Sequence, residues 1–175
     1  MDWRDMMIDG YSRVLEGLEH ALGGVDRAVL DRQPKPDCNT MGWLAWHTGR
    51  VQDAQIAALM GVEQLWLSEG WHAKFVRPAD PRDTGFGNTP EQVAAFRSPE
   101  PQVFIDYLRA CTNRTKSYLM SLTPADLGRE LNEPQWQPLP TVGVRLVSIL
   151  ADDLQHIGQI GYLRGLLTGK GWQKY

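Results

Sequence analysis

The sequence predicts an all-α fold, a four-helix bundle with long connections between its second and third helices and between its third and fourth. Three observations carry this. Four long stretches place apolar residues at helical spacing, the segments between them are rich in Gly and Pro, and nowhere do apolar and polar residues alternate as in a half-buried strand. Helices with one apolar face bury it most simply against one another, which makes the bundle the economical architecture. At 175 residues the chain reads as one domain, 1–175, long enough to bury a full core.

The first helix is expected from about Trp3 to Leu22, with Tyr11, Val14, Leu18 and Leu22 at helical spacing, and Gly23-Gly24 ends it. Residues 25–38 read as a short helical turn and then a Pro-containing loop. Asn39 or Thr40 caps a second helix, Met41 to about Met60, on whose wheel Trp43, His47, Arg50/Val51 and Ala54 share a face. Residues 61–89 have weak periodicity and many aromatics; a short helix near Glu63–Ser68 is expected, followed by an aromatic excursion that is either a substrate lid or a pinned surface loop. His72 in this excursion is expected to be exposed.

Thr89-Pro90-Glu91-Gln92 has the pattern of a capped helix start, and Ser98-Pro99-Glu100 repeats the signal before a third long helix that ends near Ser121. Thr123 caps another turn, and residues 128–140, with Pro134, Pro138 and Pro140, form a loop. Thr141 opens the fourth long helix, Val142 to about Leu167, stopped by Thr168-Gly169-Lys170-Gly171.

Composition excludes several functions. A net charge of −3, from 18 basic and 21 acidic residues without a basic run, lacks the electrostatic footprint of a nucleic-acid binder. No apolar run approaches the ~18 residues of a membrane span, and the charged start has no signal-peptide core, so a cytoplasmic protein without a membrane partner is expected. Cys38 and Cys111 stand far apart with no C-x-x-C partner, which argues against a zinc knuckle, a redox motif or a disulfide. Seven Trp suggest an aromatic-lined cavity or interface, and a homodimer is compatible with them.

The chemistry concentrates in the fourth helix. Residues four apart share a helical face with Cβ atoms about 5–6 Å apart, so Asp152 and His156 address one pocket. Asp153, three from His156, competes with Asp152. Metal sites in bundles are built from facing helices. His47 of the second helix is either a core histidine or the third ligand, and with three ligands a catalytic zinc site keeps a position open.

The Trp43-Leu44-Ala-Trp46-His47 run, with Asp152-x-x-x-His156-x-Gly158-Gln159 and Tyr162-Leu163-Arg164-Gly165, resembles the DinB-like (DinB/YfiT-like) superfamily of metal-binding four-helix bundles along the whole chain. The resemblance implies that His47, Asp152 and His156 are the ligands, that Asp152 rather than Asp153 serves, and that the metal is zinc or nickel. Many members have His where this chain has Asp152, a carboxylate that hardens the site. The resemblance further implies an S-transferase-like enzyme using mycothiol or a related thiol on an electrophilic small molecule. The alternative is a non-enzymatic bundle acting through dimerisation or ligand sequestration, because fold and ligands do not fix a reaction. Gln159 suits a role orienting His156, Arg164 a tie to the helix dipole or a loop, Trp43 a pocket wall and Trp46 the core or an interface.

Overall fold

The computed structural model describes residues 2–169. Four long helices form the bundle: α1 (Trp3–Leu22), α3 (Met41–Met60), α7 (Pro101–Ser121) and α8 (Val142–Thr168). Between them lie the short helices α2 (Arg27–Leu30), α4 (Leu65–Ser68), α5 (Trp71–Lys74) and α6 (Pro90–Ala94), with a 3₁₀ turn at Asp126–Gly128. An isolated antiparallel bridge, Glu130 to Thr141, is the extent of β pairing among the described residues. No helix is long and apolar enough to cross a membrane. Lys170 and Gly171 of the expected stop lie outside the described residues; Gly169 caps α8, and its N–H donates to the Gly165 carbonyl.

Side-chain caps set the starts of the helices that carry the site. Of the two candidates before α3, Thr40 serves: its side chain accepts from the Trp43 N–H. Thr141 does the same for Val144 at the start of α8. An oxygen at these positions satisfies one of the orphan N–H groups of the first turn. Thr89 and Gln92 form the reciprocal capping box their spacing predicts.

The sequence reading underestimates how deeply α3 is buried. Every residue from Met41 to Asp53 is buried, polar ones included, because α2, α7, α8 and the 61–89 segment enclose it. At one end of the bundle Trp43, Trp46, Trp66, Phe75, Phe104 and Tyr107 join a large aromatic cluster; at the other, Tyr11, Ile56, Leu119, Leu146 and Ile149 form a smaller one. A polar belt of Arg50, Gln52, Asp53, Thr112, Thr115 and Asp153, all buried, crosses the core. The 61–89 segment contains two short helices where one was expected, and His72 is half-buried at the edge of Trp66, their ring centroids 6.4 Å apart, rather than exposed. Cys111 is buried and Cys38 partly so, and neither forms a disulfide.

Candidate metal centre

Facing α3 and α8 bring three of the chain's ionisable groups to one point. His47, Asp152 and His156 each offer a ligand atom, and these atoms lie within 4.8 Å of one another. Asp152 and His156 meet by the i,i+4 spacing of α8: His156 Nε2 is 3.5 Å from Asp152 Oδ1. His47 arrives edge-on, its ring centroid 4.9 Å from that of His156. Metal bonds of about 2.0–2.2 Å hold ligand pairs to about 4.4 Å or less, so the triad stands slightly open relative to a closed coordination sphere.

Both imidazoles are presented in the state a metal requires. His47 Nδ1 bonds the Thr84 carbonyl, which can only accept, so Nδ1 carries the proton and Nε2 is bare. His156 Nδ1 donates to Gln159 Oε1 at 2.9 Å, which leaves its Nε2 facing Asp152. Hydrogen bonds from the far ring nitrogen fix tautomer and ring direction in metal sites. Trp43 stacks on His47 at 4.8 Å with 14° between the planes. It lines neither the cavity that reaches the triad nor the groove along α8, and its stacking helps to hold the His47 ring.

The charges follow from these contacts. Burial lowers the His47 pKa, against the opposing hydrogen bond to Thr84, and so favours the neutral ring. Burial also pulls His156 down, but the bonds to Asp152 and Gln159 outweigh it and the net shift is upward. The His156 contact lowers the Asp152 pKa. Asp152 Oδ2 is buried without a hydrogen-bond partner, an arrangement that costs free energy and that a cation would relieve. By this measure the residues fit a divalent metal.

Asp153 turns away from the triad. It is fully buried in the polar belt, both carboxylate oxygens lack a hydrogen-bond partner, and burial together with the Asp152 charge pushes its pKa well up, which favours the neutral form. Arg164 donates to the carbonyls of His20 and Ala21, tying α8 to the end of α1.

A family model described as the DinB superfamily matches residues 11–160. The chain belongs to the DinB superfamily. The crystal structure of a conserved protein from Enterococcus faecalis is similar to it at 35% identity and a TM-score of 0.88, covering 97% of this chain and 99% of that one. No curated protein matches the chain. The DinB superfamily is one of generally metal-binding helical proteins, and the His47, Asp152 and His156 cluster is where this member offers such a site.

An open cavity of about 810 Å³ reaches the triad, with His47 and Asp152 in its wall. Thr84 and Phe86 of the long excursion, Trp136 of the 128–140 loop and Arg145 of α8 are also in its wall. Phe86 is 92% exposed and Trp136 60% exposed, so both present bare aromatic faces. Arg145 bonds Gln55 and Glu133. Sequence reasoning missed Arg145 and Trp136. The signal for Arg145 was present, since it lies two helical turns before Asp152 on the same face; none marked Trp136.

Gly85 is the point where the excursion touches His47. Its φ of +88° suits glycine, and a Cβ there would stand 2.8 Å from Trp46, 2.9 Å from Trp43 and 3.0 Å from His47 Nδ1. Gly85→Ala is therefore expected to cost about 1–3 kcal/mol and to weaken metal binding by displacing His47 from Thr84. Thermal denaturation and metal titration check this; wild-type values for both would show that the loop does not brace His47.

Proposed function

We propose that this DinB-superfamily protein is a divalent-metal-dependent enzyme of the low-molecular-weight-thiol S-transferase type, with zinc or nickel at His47, Asp152 and His156. The observation that carries this reading is the cavity of about 810 Å³ open onto the triad, because structural metal sites are closed by protein ligands and catalytic ones keep access. When bound, a divalent cation supplies positive charge that favours a thiolate over a thiol at neutral pH.

The chain's own residues divide the remaining work. Thr84 and Gln159 hold the two imidazoles with Nε2 free. Arg145, Gln55 and Ser148 offer polar contacts along one wall for a thiol carrier such as mycothiol or bacillithiol, and Phe86 and Trp136 add apolar faces to the same cavity. In the transfer, the sulfur electron pair forms the new bond to carbon, the leaving group departs with the pair of the bond that breaks, and the thiol proton passes to solvent.

The reading is tested by mixing the metal-loaded protein with mycothiol or bacillithiol and 1-chloro-2,4-dinitrobenzene and following thioether formation. Wild type is expected to exceed the uncatalysed rate and His47→Ala to fall to it. Equal rates for both proteins with every thiol would sink the transferase assignment.

A further inference from the structure

A second cavity, about 1060 Å³, lies on the other side of the triad along α8. Its floor is apolar: Leu44 of α3, Tyr162, Leu163, Leu166 and Leu167 of α8, and Pro34 of the loop after α2. Among the described residues two charged ones line it, Arg32 and Lys35, both cations, and no carboxylate does. Both cations are exposed. Arg32 donates to the Leu167 carbonyl, which fixes it at the C-terminal end of α8. From Gln155 to Leu167 the groove runs about 18 Å at ~1.5 Å per residue.

The groove and the metal centre share a wall. Gln159 lines the groove and accepts the hydrogen bond from His156 Nδ1. α8 thus passes in sequence from the first cavity (Val144, Arg145, Ser148, Asp152) to the second (Gln155, Gly158, Gln159, Tyr162), with the triad at the junction. Gly158 faces the groove, and a Cβ there would meet nothing within 4 Å. Apolar surface along a groove whose charges, among the described residues, are positive is complementary to one ligand class.

We propose that this groove binds a small organic anion with an apolar body, its anionic end toward Arg32 and Lys35 and its other end against Gln159. Burial of the body on the leucines and Tyr162 supplies most of the affinity, and the cations select the sign of the charge. Resting on the transferase reading above, this anion is the electrophilic reactant, and the first cavity takes the thiol. The binding claim itself stands on the groove alone.

The probe is decanoate, titrated calorimetrically into the full chain, with 1-decanol and acetate as controls. Saturable one-to-one binding of decanoate is expected, with 1-decanol at least tenfold weaker and acetate undetectable. Lys35→Glu should weaken decanoate at least tenfold. Gly158→Trp, which fills open space without meeting the core, should abolish binding while leaving the melting temperature and metal content unchanged; Gly158→Leu should weaken it less. Equal binding of decanol and decanoate, or decanoate binding indifferent to Gly158→Trp, would overturn the proposal. So would Gly158→Trp converting a dimer to a monomer in sedimentation with decanoate binding intact, since the groove would then be an interface between copies. Binding retained in His47→Ala, even in the absence of any transferase activity, upholds the anion site and removes only its role in that reaction.

Discussion

Arg50→Met is expected to destabilise the fold by about 3–5 kcal/mol, the usual cost of breaking a buried ion pair from one side. Arg50 has no exposed side-chain surface and uses its whole guanidinium. Nε donates to the Asp83 carbonyl at 3.0 Å; one terminal nitrogen reaches Tyr107 Oη at 3.0 Å and Asp53 at 3.4 Å; the other reaches Gln64 at 2.8 Å and the Pro81 carbonyl at 3.1 Å. The guanidinium also lies over Trp66, 4.4 Å from the ring centroid. Methionine keeps much of the apolar stem and none of the donors, so the Asp83 carbonyl loses its partner and the Pro81 carbonyl keeps only Gln64.

Asp53 would remain, and its other contacts explain why a compensating Asp53→Leu should not rescue the variant. Its carboxylate accepts from the Leu65 and Trp66 N–H groups at 2.9 and 2.8 Å and from Tyr107 at 2.8 Å, so it caps α4 as well as facing Arg50. Urea denaturation measures the loss. Hydrogen exchange should show the damage concentrated in residues 77–88, which Arg50 ties to α3 and which carry Thr84 to His47. A loss below about 1 kcal/mol would mean that Arg77, bonded to both oxygens of Asp83 at 2.8 and 2.9 Å, holds the segment alone.

The four long helices were legible because each has its own local signals: apolar spacing along the body, Thr40 and Thr141 at the starts, glycines after Leu22 and Thr168. Periodicity could not reveal the central position of α3, since a helix buried on nearly all sides loses the polar face that periodicity detects. The candidate site was half legible. Asp152 and His156 announce themselves by an i,i+4 spacing, whereas the choice between Asp152 and Asp153 depends on the rotation of α8 about its axis, which is set by packing against α1 and α3. Thr84 was invisible for a plainer reason: it acts through its backbone carbonyl, which any residue supplies. Arg50 stood in the expected face of α3, but apart from Asp53, three residues on, its partners lie 14 to 57 residues away, beyond any local pattern.

That rotation makes the metal centre testable residue by residue. Protein purified without a polyhistidine tag is expected to carry about one divalent metal ion per chain, and His47→Ala, Asp152→Ala and His156→Ala are each expected to carry none after dialysis. Removing one of three ligands leaves two, and Asp152→Ala also removes the only charge that offsets the cation at the triad. Gln159→Leu should retain the site with affinity lowered roughly 10–100-fold, because His156 keeps Nε2 but loses the bond that fixes its proton on Nδ1. The adjacent carboxyl supplies the control. Asp153 is buried in the core outside the His47, Asp152 and His156 cluster, so Asp153→Asn, a side chain of the same shape, should leave metal content at the wild-type level. Mass-spectrometric metal analysis decides: equal, negligible metal in every protein would dismiss the triad, and loss with Asp153→Asn but not with Asp152→Ala would mean that α8 presents the other carboxylate to the metal.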